Sequence, residues 1–188
     1  MNRDLPYVVR IVQVQARKDD QLKTQLFSHL RKLSEFQSND EKLLWVHSEL
    51  DRLLADSTKK SSCLKGCHFC CYHPIALSSL EMNEIRKLGI SLNEDRLHKQ
   101  KRFFQGHAAI EYEQRACVYL KEGECSVYSK RPLICRLTHV SSMPENCHLE
   151  NKERTVEHLP VTQAALLVAA FYMAHPDVDL MPVLIDRN

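Results

Sequence analysis

The spacing of hydrophobic residues predicts a mainly α-helical chain. Residues 20–36 place apolar side chains on one helical stripe, and a second helix opens at a capping box formed by Ser38 and Glu41. The apolar positions of these helices are Leu22, Leu26, Phe27, Leu30 and Leu33 in the first, and Leu43, Val46, Leu50, Leu53 and Leu54 in the second. We expect each helix to bury its stripe. The polar stretch 56–62 that follows predicts a connection.

Three further helices are indicated later in the chain. Capping boxes at Ser78/Glu81 and Ser91/Glu94 open the first two. The third covers residues 161–174 and is apolar on nearly every side, which predicts a position at the centre of the core.

One β-hairpin interrupts the helical pattern. Residues 118–120 and 125–128 favour strands, and the residues around Gly123 favour a tight turn between them. The expected fold is therefore a set of helical arms around a cysteine-rich, metal-stapled middle with one short β-hairpin. We divide the chain into a helical N-terminal arm (1–62), a cysteine-cluster metal-binding region (63–150) and a C-terminal core helix with its tail (151–188).

Composition and charge exclude several classes of protein. The 188 residues are 44% hydrophobic and 27% charged, and a formal charge of +2 is too balanced for a protein that mainly binds nucleic acid. No glycine-rich phosphate-binding motif is present, and we expect the basic run at 96–102 to be a solvated face. The start lacks a signal-peptide core, and the longest apolar run, 164–174, is too short to span a bilayer. We therefore expect a cytoplasmic protein without a membrane partner.

Eight cysteines dominate the candidate chemistry. In a reducing compartment we expect them to be metal ligands or catalytic thiols, since a secreted disulfide scaffold would be shorter and denser in cysteine. Cys63, Cys67, Cys70 and Cys71 form a block whose spacing suits a zinc tetrahedron or three corners of an iron–sulfur cube. The adjacent Cys70 and Cys71 are awkward partners on one mononuclear ion. One of them is expected to turn to a second metal, to bridge, or to stay a free thiol.

The second group of cysteines is spread along the chain, as Cys117, Cys125, Cys135 and Cys147. The hairpin can bring Cys117 and Cys125 together, whereas no close partner fixes Cys147, which is equally consistent with an ordinary buried thiol. All eight cysteines are candidate metal ligands. They are enough for two four-sulfur sites or for one cluster with spare ligands, and their spacing does not choose between these arrangements.

Histidines and arginines near the cysteines are further candidates. Four histidines can replace a thiolate as ligand or support one by hydrogen bonding: His68, His73, His139 and His148. Arg131 and Arg136 flank Cys135, where a guanidinium either stabilises thiolates or forms an ion pair with Glu122 or Glu124.

The two cysteine blocks together resemble the YkgJ-type cysteine-cluster family, whose proteins are described as zinc- or iron-chelating. The stretch CLKGCHFCC is similar to the first block of the family, and CVYLKEGECSVYSKRPLICR to the second. The matching positions of the second block are Cys117, Gly123, Cys125, Tyr128, Arg131, Pro132, Cys135 and Arg136. Val118 and Tyr119 stand where Pro-Phe is usual, which removes a rigid turn but no ligand. The resemblance covers about residues 63–136 and implies metal chelation.

Three functions are consistent with these observations. The leading hypothesis is a cytoplasmic metal-binding protein that chelates zinc or an iron–sulfur cluster, such as a 4Fe–4S cluster, through the two cysteine blocks. Larger relatives resemble flagellin lysine N-methylases, which implies an iron–sulfur-dependent redox or methyl-transfer enzyme as the alternative. A third hypothesis is a metal-stapled adaptor for protein or RNA, whose helical arms form the surface for a protein partner.

Overall fold

The structure is a computed structural model that describes residues 7–64, 66–151 and 154–181, so residues 1–6 of the expected N-terminal arm and residues 182–188 of the expected tail lie outside the described residues. The α-helices in these ranges are α1 (Tyr7–Ala16), α2 (Asp20–Ser34), α3 (Asn39–Lys60), α4 (Ser79–Lys87), α5 (Glu94–Phe104), α6 (Leu133–Arg136) and α7 (Thr162–Ala174). The strands are β1 (Ala76–Ser78), β2 (Leu120–Lys121), β3 (Glu124–Cys125) and β4 (Val178–Leu180). The chain is mainly α-helical with a short hairpin, as predicted.

Helix α7 is the centre of the first hydrophobic core. Eight of its 13 residues are buried, and it packs against α1, α2 and α3. This confirms the central helix predicted at 161–174, because a helix that is apolar on every side is stable only when neighbours surround it. Each large apolar side chain that it removes from water contributes about 1.5–3 kcal/mol.

The apolar stripes of α2 and α3 face this core, with one exception. The buried residues of the two stripes are Leu26, Leu33, Leu43, Val46, Leu50 and Leu54. Phe27 is 59% exposed, so its predicted burial is wrong. It follows Leu26 directly, and consecutive residues of a helix point about 100° apart.

Helix α3 is longer than predicted. It continues to Lys60, so the connection predicted at 56–62 is wrong for the first five positions. Asp56 and Lys59 lie one turn apart with 3.9 Å between their charged atoms, and the basic residues of the last turn favour the negative end of the helix dipole. Polar composition alone therefore does not end this helix.

The hydrophobic pattern does not predict α1. Its sequence, YVVRIVQVQA, is rich in β-branched residues, which have modest helix propensity. Val9, Val12 and Ala16 are nevertheless buried on one face, and the helix packs against α2 and α7. Tertiary packing overrides local propensity here.

A second hydrophobic core lies next to the cysteine-rich segment. Its buried members are Leu77, Met82, Ile85, Leu97, Val118, Tyr119, Val127 and Met181. Helix α4 opens at the predicted Ser78/Glu81 capping box. The box predicted at Ser91/Glu94 is wrong, because the side chain of Asn93 caps α5 instead.

Two short antiparallel pairs complete the fold. Strand β1 pairs with β4, with Ser78 opposite Val178, so the chain after α7 returns to the start of α4. Strands β2 and β3 form the predicted hairpin, in which Leu120 lies opposite Cys125. This hairpin is shorter than predicted, because the chain enters a 3-10 turn at Tyr128–Lys130. No helix among the described residues is long and apolar enough to cross a membrane.

Candidate metal centre

The first cysteine block is a tight loop that leaves α3 and ends in a 3-10 turn. The N–H of Cys63 donates to the hydroxyl of Ser61, the C-cap of α3, at 3.1 Å. Directly before Cys67, Gly66 takes a φ of +90°, in the left-handed region that glycine adopts without strain. The turn Phe69–Tyr72 then holds the adjacent cysteine pair.

A backbone hydrogen bond joins the two cysteine blocks. The N–H of Cys117 donates to the carbonyl of Cys71 at 2.7 Å. From the other side, the guanidinium of Arg96 on α5 donates to the Cys117 carbonyl at 2.9 Å. The basic run is therefore not a uniformly solvated face as expected, because half-buried Arg96 holds the start of the hairpin region.

Two further short elements carry Cys135 and Cys147. Cys135 is the third residue of α6, and Cys147 ends a 3-10 turn at Pro144–Cys147. The segment before this turn is attached to the end of α3, where the Ser62 N–H donates to the Val140 carbonyl at 2.9 Å. Cys147 thereby comes close to the first block.

Cysteines from both blocks line one cavity of about 720 Å³. Seven of the eight cysteines line it, and Cys63 alone lies outside the lining. The lining cysteines are Cys67, Cys70, Cys71, Cys117, Cys125, Cys135 and Cys147. All eight are half-buried free thiols, so none of them is cross-linked to another.

The electrostatic neighbours of Cys147 define a first group of thiols. Burial raises the pKa of Cys147, and the charges of Cys63, Cys67 and Cys70 raise it further. Cys67 likewise has Cys63 and Cys70 as charged neighbours. We call Cys63, Cys67 and Cys147 the loop set.

The neighbours of Cys135 define a second group. After burial, the thiols whose charges raise the pKa of Cys135 are Cys117, Cys70 and Cys125. Cys71 has Cys70, Cys117 and Cys125 as its charged neighbours. We call Cys71, Cys117, Cys125 and Cys135 the hairpin set. Cys70 lies next to both sets.

Burial keeps most of these thiols protonated. It raises the pKa of Cys117 to about 11 and that of Cys135 well above its usual value. Cys70 is different, because its contact with the Cys71 thiol lowers its pKa, helped by the positive charge of Arg131. Thiols in such surroundings ionise when a cation takes the place of the proton.

The chemistry of the donor set fits a thiophilic metal, although the side chains do not enclose an ion as they stand. Within residues 7–64, 66–151 and 154–181, no group of three or more Cys, His, Asp or Glu side chains is arranged to hold one. Zinc–sulfur bonds are about 2.3 Å long. The thiols around the cavity would therefore have to move closer together when a metal binds.

The four candidate histidines take different positions. His73 and His148 line the cavity. The ring of His68 hydrogen-bonds with the Gly66 carbonyl at 3.1 Å, within the loop of the first block. His139 is buried, and it is not part of the cavity lining.

His158 also lines the cavity, and the sequence does not predict it. A β-bridge between Val140 and His158 brings this residue to the site. No cysteine lies near it in the chain, so no local signal could have identified it.

The two arginines that flank Cys135 have different roles. Arg131 lines the cavity with its guanidinium 4.5 Å from the centre of the Tyr128 ring, and its charge lowers the pKa of nearby thiols. Arg136 forms an ion pair with Asp51 of α3 at 2.8 Å. Of the two predicted roles, Arg131 therefore has that of stabilising thiolates. Arg136 forms an ion pair, but with Asp51 and not with the expected Glu122 or Glu124.

A helical chain with clustered free thiols from two blocks has the features of a cysteine-rich metal-chelating domain. The chain belongs to the CxxCxxCC family, described as a "putative zinc- or iron-chelating domain", whose family model matches residues 62–160. The match confirms the resemblance inferred from the two blocks. No curated protein and no solved structure matches the chain.

Proposed function

We propose that this protein chelates zinc or an iron–sulfur cluster through two sets of cysteines. The observation that carries the proposal is the convergence of seven free thiols from both blocks on one cavity. Packing alone does not account for so many half-buried thiols in one place, and the description of the family points to the same chemistry.

The two sets suggest how eight ligands are divided. The loop set together with Cys70 supplies four sulfurs, and the hairpin set supplies four more. Adjacent Cys70 and Cys71 then serve different sites, which removes the difficulty of placing both on one mononuclear ion. His73, His148 and His158 are the cavity-lining alternatives to a thiolate.

The bound metal would stabilise the folded form of the cysteine-rich region, because thiolates bind the ion and the free energy of binding contributes to folding. Four thiolates around a divalent ion leave a net negative charge. Arg131 partly balances this charge, since it lies in the cavity lining and its charge favours the ionised forms of Cys70 and Cys125. We place this function in the cytoplasm, where the thiols stay reduced.

The experiment is anaerobic purification of the full chain followed by zinc, iron and labile-sulfide analysis of the wild type, Cys135→Ser and Cys147→Ser. We expect metal in the wild type. We expect each variant to lose the metal of its own set and to retain the other, so that each variant is the control for the other. A wild type without bound metal would refute the proposal, and loss of all metal from both variants would refute two separate sets.

A second candidate function is favoured by the size of the cavity. At about 720 Å³ it is as large as many small-molecule sites, which extend over roughly 300–1,000 Å³. This volume suits an iron–sulfur-dependent redox or methyl-transfer enzyme. Calorimetric titration of the anaerobic protein with S-adenosylmethionine tests the methyl-transfer form, which the absence of saturable binding would exclude.

A further inference from the structure

Glu81 is a buried carboxylate in the first turn of α4, and the metal-chelating function does not account for it. Its side chain belongs to the predicted capping box, and the residue is only 2% exposed. Oxygen Oε2 accepts hydrogen bonds from the Ser78 N–H at 2.7 Å and from the Ser78 hydroxyl at 2.9 Å. A helix cap needs only this half of the carboxylate.

The other oxygen of Glu81 connects two distant helices. Oε1 accepts the N–H of Leu133, the first residue of α6, at 2.8 Å, and the hydroxyl of Tyr172 on α7 at 3.4 Å. The first N–H groups of a helix have no partner within the helix, and Pro132, the N-cap of α6, offers no side-chain hydrogen bond. Glu81 therefore caps α6 from another part of the chain.

Helix α6 is a single turn, and it carries Cys135 two residues after Leu133. The position of the Cys135 thiol therefore depends on where this turn begins. Burial is the main cause of the raised pKa of Cys135, and the charge of Glu81 adds to it, which is consistent with their proximity.

We propose that Glu81 is a positioning residue for the hairpin set, because it holds the start of α6 and thereby sets the place of the Cys135 thiol. This inference rests on the proposed metal-chelating function and deepens it. Hydrogen-bonded partners that orient metal ligands are typically worth about 10–100-fold in metal affinity.

A carboxylate is the group that this position requires. Each oxygen of Glu81 faces a backbone N–H, which can only donate: that of Ser78 at Oε2 and that of Leu133 at Oε1, so both oxygens must accept. A glutamine has one oxygen and one NH₂ group, and the NH₂ group would face N–H or O–H donors. Glu81→Gln therefore leaves either the α4 cap or the start of α6 without an acceptor, although side-chain size hardly changes.

The chain contains a matched control. Ser38 and Glu41 form the same capping box on α3, where the Glu41 N–H donates to the Ser38 hydroxyl at 3.1 Å and the Ser38 N–H to the Glu41 carboxylate at 3.2 Å. Both residues are exposed. Glu41→Gln therefore makes the same chemical change in a box on a helix far from Cys135 in sequence.

The experiment is a cobalt titration of the full chain in the presence of a competing chelator, followed through the thiolate-to-metal absorption band. It compares the wild type with Glu81→Gln, Glu41→Gln and Tyr172→Phe, each also combined with Cys147→Ser so that the hairpin set is measured separately. We expect Glu81→Gln to weaken binding by the hairpin set by about 10–100-fold. In Glu81→Gln we expect the cobalt affinity of the loop set to stay within about twofold of the wild type. In Glu41→Gln and Tyr172→Phe we expect the same of both sets, because only a distant cap or one long hydrogen bond changes.

Equal weakening of both sets in Glu81→Gln, or no weakening in a folded variant, overturns the proposal. Should Glu81→Gln fail to fold, hydrogen exchange of the metal-loaded wild type decides, since the Leu133 amide must be protected. Exchange at the rate of a free amide overturns the proposal. A wild type without metal refutes the proposed function, whereas metal in the wild type with an unaffected Glu81→Gln refutes only the role of Glu81.

Discussion

At the scale of single residues, His47 shows how the surroundings of a side chain determine its charge. It lies half-buried on α3 near Arg136 and Lys130. Burial, followed by the positive charges of these two residues, lowers the pKa of His47 to about 4, against opposition from Asp51 and Glu84. The folded protein therefore holds a neutral imidazole at a position where the unfolded chain would bind a proton near pH 6.5.

This difference predicts a pH dependence of stability. The contribution of neutral His47 to the free energy of unfolding is fully present above about pH 6.5. It is lost as the pH falls towards 4, because the unfolded chain takes up the proton at a higher pH than the folded protein. The side chain is partly exposed, so we expect a loss of about 1–2 kcal/mol. Urea unfolding between pH 7.5 and 4.5 measures it by comparing the wild type with His47→Gln, which should show a shallower decline. Parallel curves would contradict the prediction.

At the scale of secondary structure elements, the contact between α5 and the hairpin region depends on one side chain. Nη1 of Arg96 donates to the Cys117 carbonyl at 2.9 Å and to the Leu120 carbonyl at 3.3 Å. On the same helix, Lys99 pairs with Asp95 at 2.7 Å on the surface. The two basic residues are therefore expected to differ in their energetic importance.

We expect Arg96→Gln to lower the free energy of unfolding by about 1.5–3 kcal/mol, since it removes charge-assisted hydrogen bonds to two partly buried carbonyls. Lys99→Gln on the same helix should cost less than about 0.5 kcal/mol, because its ion pair is exposed. Chemical denaturation of the metal-loaded proteins measures both changes. Similar losses in the two variants would show that Arg96 does not hold the hairpin region.

At the scale of the whole molecule, two hydrophobic cores differ in their relation to the thiols. The first contains α1, α2, α3 and α7, and the second lies beneath α4, α5 and the hairpin, with Cys117 and Cys125 packed against it. The first core is formed by the buried faces of α1, α2 and α3 around the apolar helix α7. In the second core, α4 and α5 are shorter than α2 and α3, and the cysteine-bearing hairpin region packs against them.

Removal of the metal should therefore unfold the cysteine-rich middle and leave the first core in place. We expect far-UV circular dichroism to retain most of its helical signal after chelation, while hydrogen exchange becomes fast at residues 117–130 and stays slow in α7. Re-addition of zinc serves as the control for reversibility. Equal loss of protection in both cores would contradict this expectation.

Sequence reasoning succeeded mainly where the signal was local, although the capping box at Ser91/Glu94 and the connection at 56–62 were wrong. The periodic stripes of α2 and α3 and the capping box at Ser78/Glu81 are confirmed, because helix faces and caps depend on residues three or four positions apart. The helix α7, predicted from a run that is apolar on nearly every side, is confirmed as well. Sequence reasoning did not locate α1 within the helical arm, since the burial of Val9 and Val12 depends on packing against α2 and α7 and not on a local pattern. It also failed for the exposed Phe27.

For the candidate site, the sequence by itself determined the thiol chemistry and the tight loops that present it, since the spacing of cysteines within a block acts over a few residues. That all eight cysteines are ligands stays a prediction. Only the tertiary structure decided that the two cysteine blocks meet, through the backbone hydrogen bond from the Cys117 N–H to the Cys71 carbonyl. It also decided that His158 reaches the cavity and that Glu81 caps α6. These are contacts between segments far apart in the chain, and they arise from the packing of two cores that no local pattern of residues specifies.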